Sequence, residues 1–219
     1  MLSIVNYKNL TKYLINFAVK FIIVCLIVTP AMAFSQEESN SSEIRSSVKE
    51  FKNYEDLIFQ ASQKYGVEVN IITAVINHES NFKRYAKGKL CRNRKSNQPE
   101  STRNCAQGLM QIVPITAKRY GLEIKDIFDP EKNIDTGVKF LADLAESYKD
   151  RDDSYSFVLA AYNAGETRIN NFIDKSTRSF ASAQDDNSVV TFAMISQHPN
   201  FPKETKKYVP VVMKLTQEE

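Results

Sequence analysis

Apolar positions recur at helical spacing along most of the chain. From Tyr54, the residues Leu57, Ile58, Ala61 and Tyr65 fall on one face, and Gly66 stops the run, which predicts a first helix. A second helix is predicted from about Asn70 to Ser80. Its stripe holds Ile72, Val75 and Ile76, and then Glu79, a carboxylic acid where an apolar residue is expected. Residues 83–107 are rich in Arg, Lys, Asn and Gln with few large apolar side chains, so they read as a loop. Pro114 suits the first turn of a short helix that ends near Tyr120-Gly121. Asp129-Pro130 opens a longer helix with the stripe Ile134, Val138, Leu141, Ala145 and Tyr148. Another helix covers about Ser154 to Ala164 and stops at Gly165. A last one covers about Lys203 to Leu215, with Pro210 expected to bend it. Residues 174–200 look polar and aperiodic, which reads as an inserted loop. No βαβ rhythm and no internal repeat is visible. The expected class is all-α, or mainly α with a minor β-hairpin in the 83–107 loop.

The N-terminal stretch differs. Lys8, Lys12 and Lys20 precede the apolar run Phe21 to Thr29, Pro30 breaks it, and Ala31-Met32-Ala33 follows. This reads as a secretory signal over 1–33, cleaved after Ala33, with a periplasmic or secreted product. A retained anchor is the rival, but the run is far short of the ~20 residues a span needs. Val24 before Cys25 speaks against a lipoprotein signal. Residues 34–53, Ser- and Glu-rich, read as a polar tether, which leaves 54–215 as the folded domain with loops at about 84–106 and 174–200.

Composition is globular, 42% hydrophobic and 25% charged over 219 residues. The formal charge of +3 belongs to the signal, because its three lysines have no acid among them and 26 acidic residues balance what remains. No long run of like charge and no basic stripe with interleaved aromatics stands out, so nucleic acid is not an expected partner. With the signal removed, Cys91 and Cys105 remain in an oxidising compartment. A bridge is expected over two unpaired thiols, closing a loop of roughly 15 residues worth ~3 kcal/mol in the chain-entropy account.

Several chemistries can be set aside. His78-Glu79 begins a zinc-binding H-E-x-x-H pattern, but the second histidine position is Phe82 and only His198 remains elsewhere. There is no G-x-S-x-G elbow and no phosphate-binding glycine loop. Glu79 is the candidate that stands out, since a carboxyl held on an apolar stripe has its pKa raised and can donate a proton near neutral pH. A helix-end glutamate in solvent is the bland alternative. Gly108-Leu109-Met110-Gln111, Ala161-Tyr162-Asn163-Ala164-Gly165, and Glu204 with Tyr208 one turn on are weak signals singly. Each could be ordinary core packing.

Taken in order, E-S-N-F, G-L-M-Q-I-V-P-I-T-A, F-D-P-E-K-N-I-D-T-G, A-A-Y-N-A-G and E-T-K-K-Y-V resemble the catalytic domain of soluble lytic transglycosylases, related to goose-type lysozyme, over about residues 54–215. The resemblance implies a lysozyme-like α fold with a glycan cleft, cleavage of peptidoglycan, and no metal or cofactor. Glu79 matches the catalytic acid. Met110, Gln111, Tyr162, Asn163 and Tyr208 match cleft positions, and Thr102 stands where the family carries a serine before G-L-M-Q. Cys105 stands at a family glycine position, and the loop between Glu79 and Gly108 is longer than usual. The implied partner is the peptidoglycan glycan strand. An envelope-spanning secretion machine, for which such an enzyme opens the wall, is a further option, as are a true lysozyme and a non-catalytic wall-binding protein.

Overall fold

The structure, a computed structural model, describes residues 53–92, 105–182 and 189–217. Nearly all of these lie in one compact unit, Tyr54–Thr216. A second unit, Met1–Asn53 with Gln217–Glu219, consists almost wholly of residues outside the described ones, as do the expected signal and tether.

Helix α1 covers 53–65 and buries Tyr54, Ile58 and Ala61; Gly66, at φ 72°, takes the left-handed conformation that ends it. Helix α2, Val69–Ser80, buries every residue from Ile71 to Ile76. A short α3 (Lys89–Arg92) and α4 (Pro114–Tyr120, with Pro at its start and Gly121 at its end) follow. Helix α5, Pro130–Tyr148, is capped by the Asp129 carboxylate, which accepts from the Lys132 N–H. It buries Ile134, Val138, Leu141 and Tyr148 as expected, with Leu144 on the stripe in place of the partly exposed Ala145. Helix α6, Ser154–Ala164, carries the run Ser156–Ala161 entirely inside and packs between α5 and α7. A helix apolar on all sides is a core helix.

Two expectations change. Gly165 ends α6, but the chain turns at once into α7, Glu166–Ser182. The first part of the supposed inserted loop is therefore helix. Ile169, Phe172 and Ile173, at the i, i+3, i+4 spacing, are buried against the core, while Asp174, Lys175 and Thr177 to Ser179 are exposed. The polar outer face made the stretch look aperiodic. The later part holds α8, Phe192–Ser196, capped by Thr191; its Val190 and Ile195, and Phe201 just beyond it, are core residues. Among the described residues there is no strand, and the expected hairpin is reduced to two isolated bridges, Lys87 with Gln107 and Gln107 with Ile112. Helix α9, Lys203–Gln217, runs through Pro210 and buries Thr205, Tyr208, Val209 and Val212.

Candidate active site

The site assembles at the C-terminal end of α2. Ser80 ends the helix with its hydroxyl donating to the Ile76 carbonyl, and then Asn81 and Phe82 both take positive φ, 51° and 58°. Two successive left-handed residues other than glycine turn the chain sharply and store strain. Glu79 is thus held on the last turn, its residue only partly exposed and its carboxyl desolvated. Burial pushes the carboxyl up to about 7; the nearby Glu204 carboxylate pushes the same way, and the Tyr208 hydroxyl opposes both.

Tyr208 reaches this point from the first half of α9. It is 1% exposed, and its hydroxyl is buried without a hydrogen-bond partner at full contact distance. Its electrostatic partner is Glu79, towards which it presents its O–H dipole; burial and that carboxylate hold the phenol well above its usual range. The His78 ring meets Tyr208 edge-on at 4.7 Å. Burial lowers the His78 pKa against the pull of Glu204.

Tyr162, at the end of α6, donates its hydroxyl to the Met110 carbonyl at 2.8 Å and feels the Glu79 charge. The neighbouring Asn163 accepts from the buried Thr205 hydroxyl at 2.7 Å, which ties the A-Y-N-A-G end of α6 to the start of α9. Two of the five motifs are thereby one junction.

The G-L-M-Q turn supplies backbone. Met110 is fully buried, so its side chain packs inside the protein and its carbonyl is what meets Tyr162. Gly137 of α5 makes room for it, since a Cβ there would lie 2.3 Å from Met110 Sδ and 2.8 Å from Met110 Cβ. Gln111, at φ 50°, folds its amide back, donating to Ala86 O at 3.2 Å and Gly108 O at 2.9 Å. Its visible work is to tie the 83–88 strap to the turn. The Cys91–Cys105 disulfide is formed, with a Cα–Cα distance of 5.3 Å. Thr102 lies outside the described residues.

Glu79, Met110, Tyr162 and Tyr208 are therefore brought together, with Asn163 and Gln111 in the supporting joints. Asn133 is the residue that motif reading passed over. It is fully buried on α5; its oxygen accepts from Met110 N at 2.8 Å, and its amide donates to Ile127 O at 2.7 Å and Gln107 O at 3.2 Å. A Cβ at Gly108 would lie 2.3 Å from it. The signal was present in F-D-P-E-K-N-I-D-T-G as one polar amide beside Ile134 on an apolar stripe. His198, the other histidine, packs on Phe172 at 5.1 Å, in a different part of the fold.

The helical fold thus brings the desolvated Glu79 carboxyl together with Tyr162 and Tyr208. Residues 56–184 match the Transglycosylase SLT domain, and the chain belongs to that family. It is 33% identical over 130 residues to membrane-bound lytic murein transglycosylase C of Edwardsiella ictaluri, covering 53% of this chain and 32% of that one. To the protein of the same name from Photorhabdus laumondii it is 36% identical over the same shares. The chain thus spans about a third of the length of these relatives. The fold is shared with the 70-kDa soluble lytic transglycosylase in complex with bulgecin A, at TM-score 0.55 and 22% identity, covering 74% of this chain and 23% of that one. It is also shared with the lytic transglycosylase Slt of Pseudomonas aeruginosa, solved as an inactive glutamate-to-glutamine mutant (TM-score 0.51, 20% identity, 74% and 23% coverage).

Proposed function

We propose that the chain is a peptidoglycan lytic transglycosylase that cleaves the β-1,4 bond between N-acetylmuramic acid and N-acetylglucosamine, with Glu79 as its acid and base. The observation that carries this is the Glu79 carboxyl, desolvated and raised to about 7 beside Tyr162 and Tyr208. Near neutral pH such a group is populated as the acid that protonates the glycosidic oxygen, and as the carboxylate that follows. The carboxylate then takes the proton of the sugar's own 6-hydroxyl, whose oxygen attacks C1. The bond to the leaving sugar breaks as the 1,6-anhydro bond forms, and no water is consumed. Tyr208 stabilises the carboxylate stage, because its hydroxyl dipole favours the ionised form.

A lysozyme reading has one observation in its favour. Glu204 is a second carboxylate that interacts with Glu79, and hydrolases of this kind use a carboxylate pair. Digestion of purified sacculi and mass spectrometry of the fragments separates the two. Anhydro-muramic ends are expected; reducing ends alone would mean that water is the nucleophile.

Murein lies in the cell envelope, which is the compartment proposed for this chain. Among the described residues no helix is long and apolar enough to cross a membrane. The proposed partner is the peptidoglycan glycan strand.

A further inference from the structure

Away from Glu79, the fold holds a cavity of about 250 Å³. Its inner wall is apolar, because Val67, Ile71, Leu141 and Val158 are buried there. Tyr65 and Tyr155, which both reach solvent, stand at its mouth. Sites that enclose a whole small ligand run to ~300–1,000 Å³, so this cavity suits one side chain presented by something larger. It is separate from the catalytic acid. Ile71 lies on the first turn of α2 and Glu79 on its last, about 12 Å further along the axis at ~1.5 Å per residue. Tyr155 and Tyr162 likewise lie towards opposite ends of α6.

Two tyrosine–carboxylate pairs flank the mouth. Tyr65 donates its hydroxyl to Asp135 Oδ2 at 2.9 Å, and Tyr155 donates its own to Glu68 Oε1 at 3.1 Å. The first pair carries a cation: Lys64 Nζ lies 2.6 Å from Asp135 Oδ1 and 4.8 Å from the centre of the Tyr65 ring. Glu146, also on the lining, pairs with Lys149. The second pair repeats the hydroxyl-to-carboxylate bond of the first, with an exposed Glu68 carboxylate and no cation paired with it among the described residues. The chain's own Lys64 shows which group such a pair takes, an ammonium lying between a carboxylate and a tyrosine ring.

We propose that Tyr155 and Glu68, with the cavity beside them, form a docking site for a partner protein whose contacting segment bears a lysine next to an apolar side chain. The apolar side chain fills the cavity, as an anchor residue fills a pocket at the centre of an interface. The lysine ammonium meets Glu68 and Tyr155 as Lys64 meets Asp135 and Tyr65. The site does not rest on the cleavage chemistry, since none of its residues is among the groups around Glu79.

Nuclear magnetic resonance titration of the isotope-labelled protein tests the site. The probe is the capped peptide Gly-Lys-Leu-Lys-Gly, compared with the same peptide carrying Nε-acetylated lysines and with one in which alanine replaces the leucine. Shifts are expected at Tyr155, Glu68 and the cavity wall. Acetylation should weaken binding at least about 5-fold, because it removes the cation, and loss of the leucine should weaken it about 3- to 10-fold. Glu68→Gln, which keeps an acceptor for Tyr155 but no charge, should bring the basic peptide down to the affinity of the acetylated one. Ala145→Leu, which fills the cavity, should abolish the leucine preference while the thermal melt stays cooperative. Equal binding of the basic and acetylated peptides, or a preference that survives Glu68→Gln, overturns the assignment, and so does the absence of any shift at millimolar peptide. Binding of n-butylamine as tight as that of the peptide also overturns it, since the site would then take a small amine and no protein segment. Cleavage of sacculi by Glu68→Gln is expected to match the parent, so the docking site and the proposed activity stand or fall separately.

Discussion

Helices α5 and α6 and the segment from Glu79 to Ile112 are built on opposite terms. The two helices bury continuous apolar faces, and the fully buried amide of Asn133 makes three hydrogen bonds. The segment holds all three non-glycine residues with positive φ among those described: Asn81, Phe82 and Gln111. The buried polar side-chain atoms without a partner belong to Gln107, Thr73 and Tyr208, within that segment or on the helices that carry the site. One region supplies stability, and the other spends part of it on holding a carboxyl and its neighbours in unfavourable surroundings.

The sharpest test of that contrast is Glu79→Gln. Cleavage is expected to fall by at least ~10²-fold, because an amide cannot give and retake a proton. Stability should move the other way. The folded carboxyl titrates at about 7, above its ordinary value of 4.5, so it binds a proton more tightly folded than unfolded. Its contribution is present below about 4.5 and is lost as pH rises through about 7. Above pH 8 the variant should therefore be more stable than the parent, by about 3 kcal/mol, and the two should converge at pH 4. Melts at the two pH values decide it; a variant less stable at pH 8 would break the contrast.

Gly137→Ala probes the other region. Alanine gains ~1 kcal/mol in intrinsic helix propensity, but its Cβ would meet Met110 Cβ at 2.8 Å, an atom close to the backbone that cannot swing away. Overpacking of this kind costs ~1–3 kcal/mol, so a net loss of about 1 kcal/mol is expected in urea unfolding. A net gain would show that Met110 is loosely held.

Tyr208→Phe should scarcely change the melt, since the lost hydroxyl has no full hydrogen bond. It should shift the alkaline limb of the pH–rate profile upwards from about 7, because the hydroxyl lowers the Glu79 pKa. A downward shift would refute that role. The smallest effect is expected for deletion of Ser176 to Asn187, which removes the exposed Thr177 to Ser179 and spares Phe172, Ile173 and Val190. A fall in Tm beyond ~10 °C would count that stretch with the scaffold.

The same contrast separates what the sequence made legible from what it hid. Helices α1, α2, α4, α5 and α6 could be read because stripes of Ile, Leu and Val with Gly or Pro at their ends are local signals. The acid on the α2 stripe was legible for the same reason, as an exception to a local rule. Helix α7 was hidden because, among its residues up to Ser179, the buried ones are Ile169, Phe172 and Ile173, and most of the others are exposed. Asn133 and the turned-in Gln111 amide were hidden because part of their work lies in bonds to backbone atoms more than twenty residues away, from Met110 N to Asn133 and from Gln111 to Ala86 O. Periodicity carries no information about such distant pairings.

Those distant joints also bear on timing. Tyr162 reaches Met110 across 52 residues, Thr205 reaches Asn163 across 42, and the Tyr208 beside Glu79 arrives only with the last helix. A nascent or partly translocated chain would carry Glu79 on α2 with nothing to crowd it, and so with the acidity of an ordinary glutamate. On the proposed reading the chain is harmless until its C-terminal helix docks. A wall-cutting activity would then switch on only once that last helix has docked.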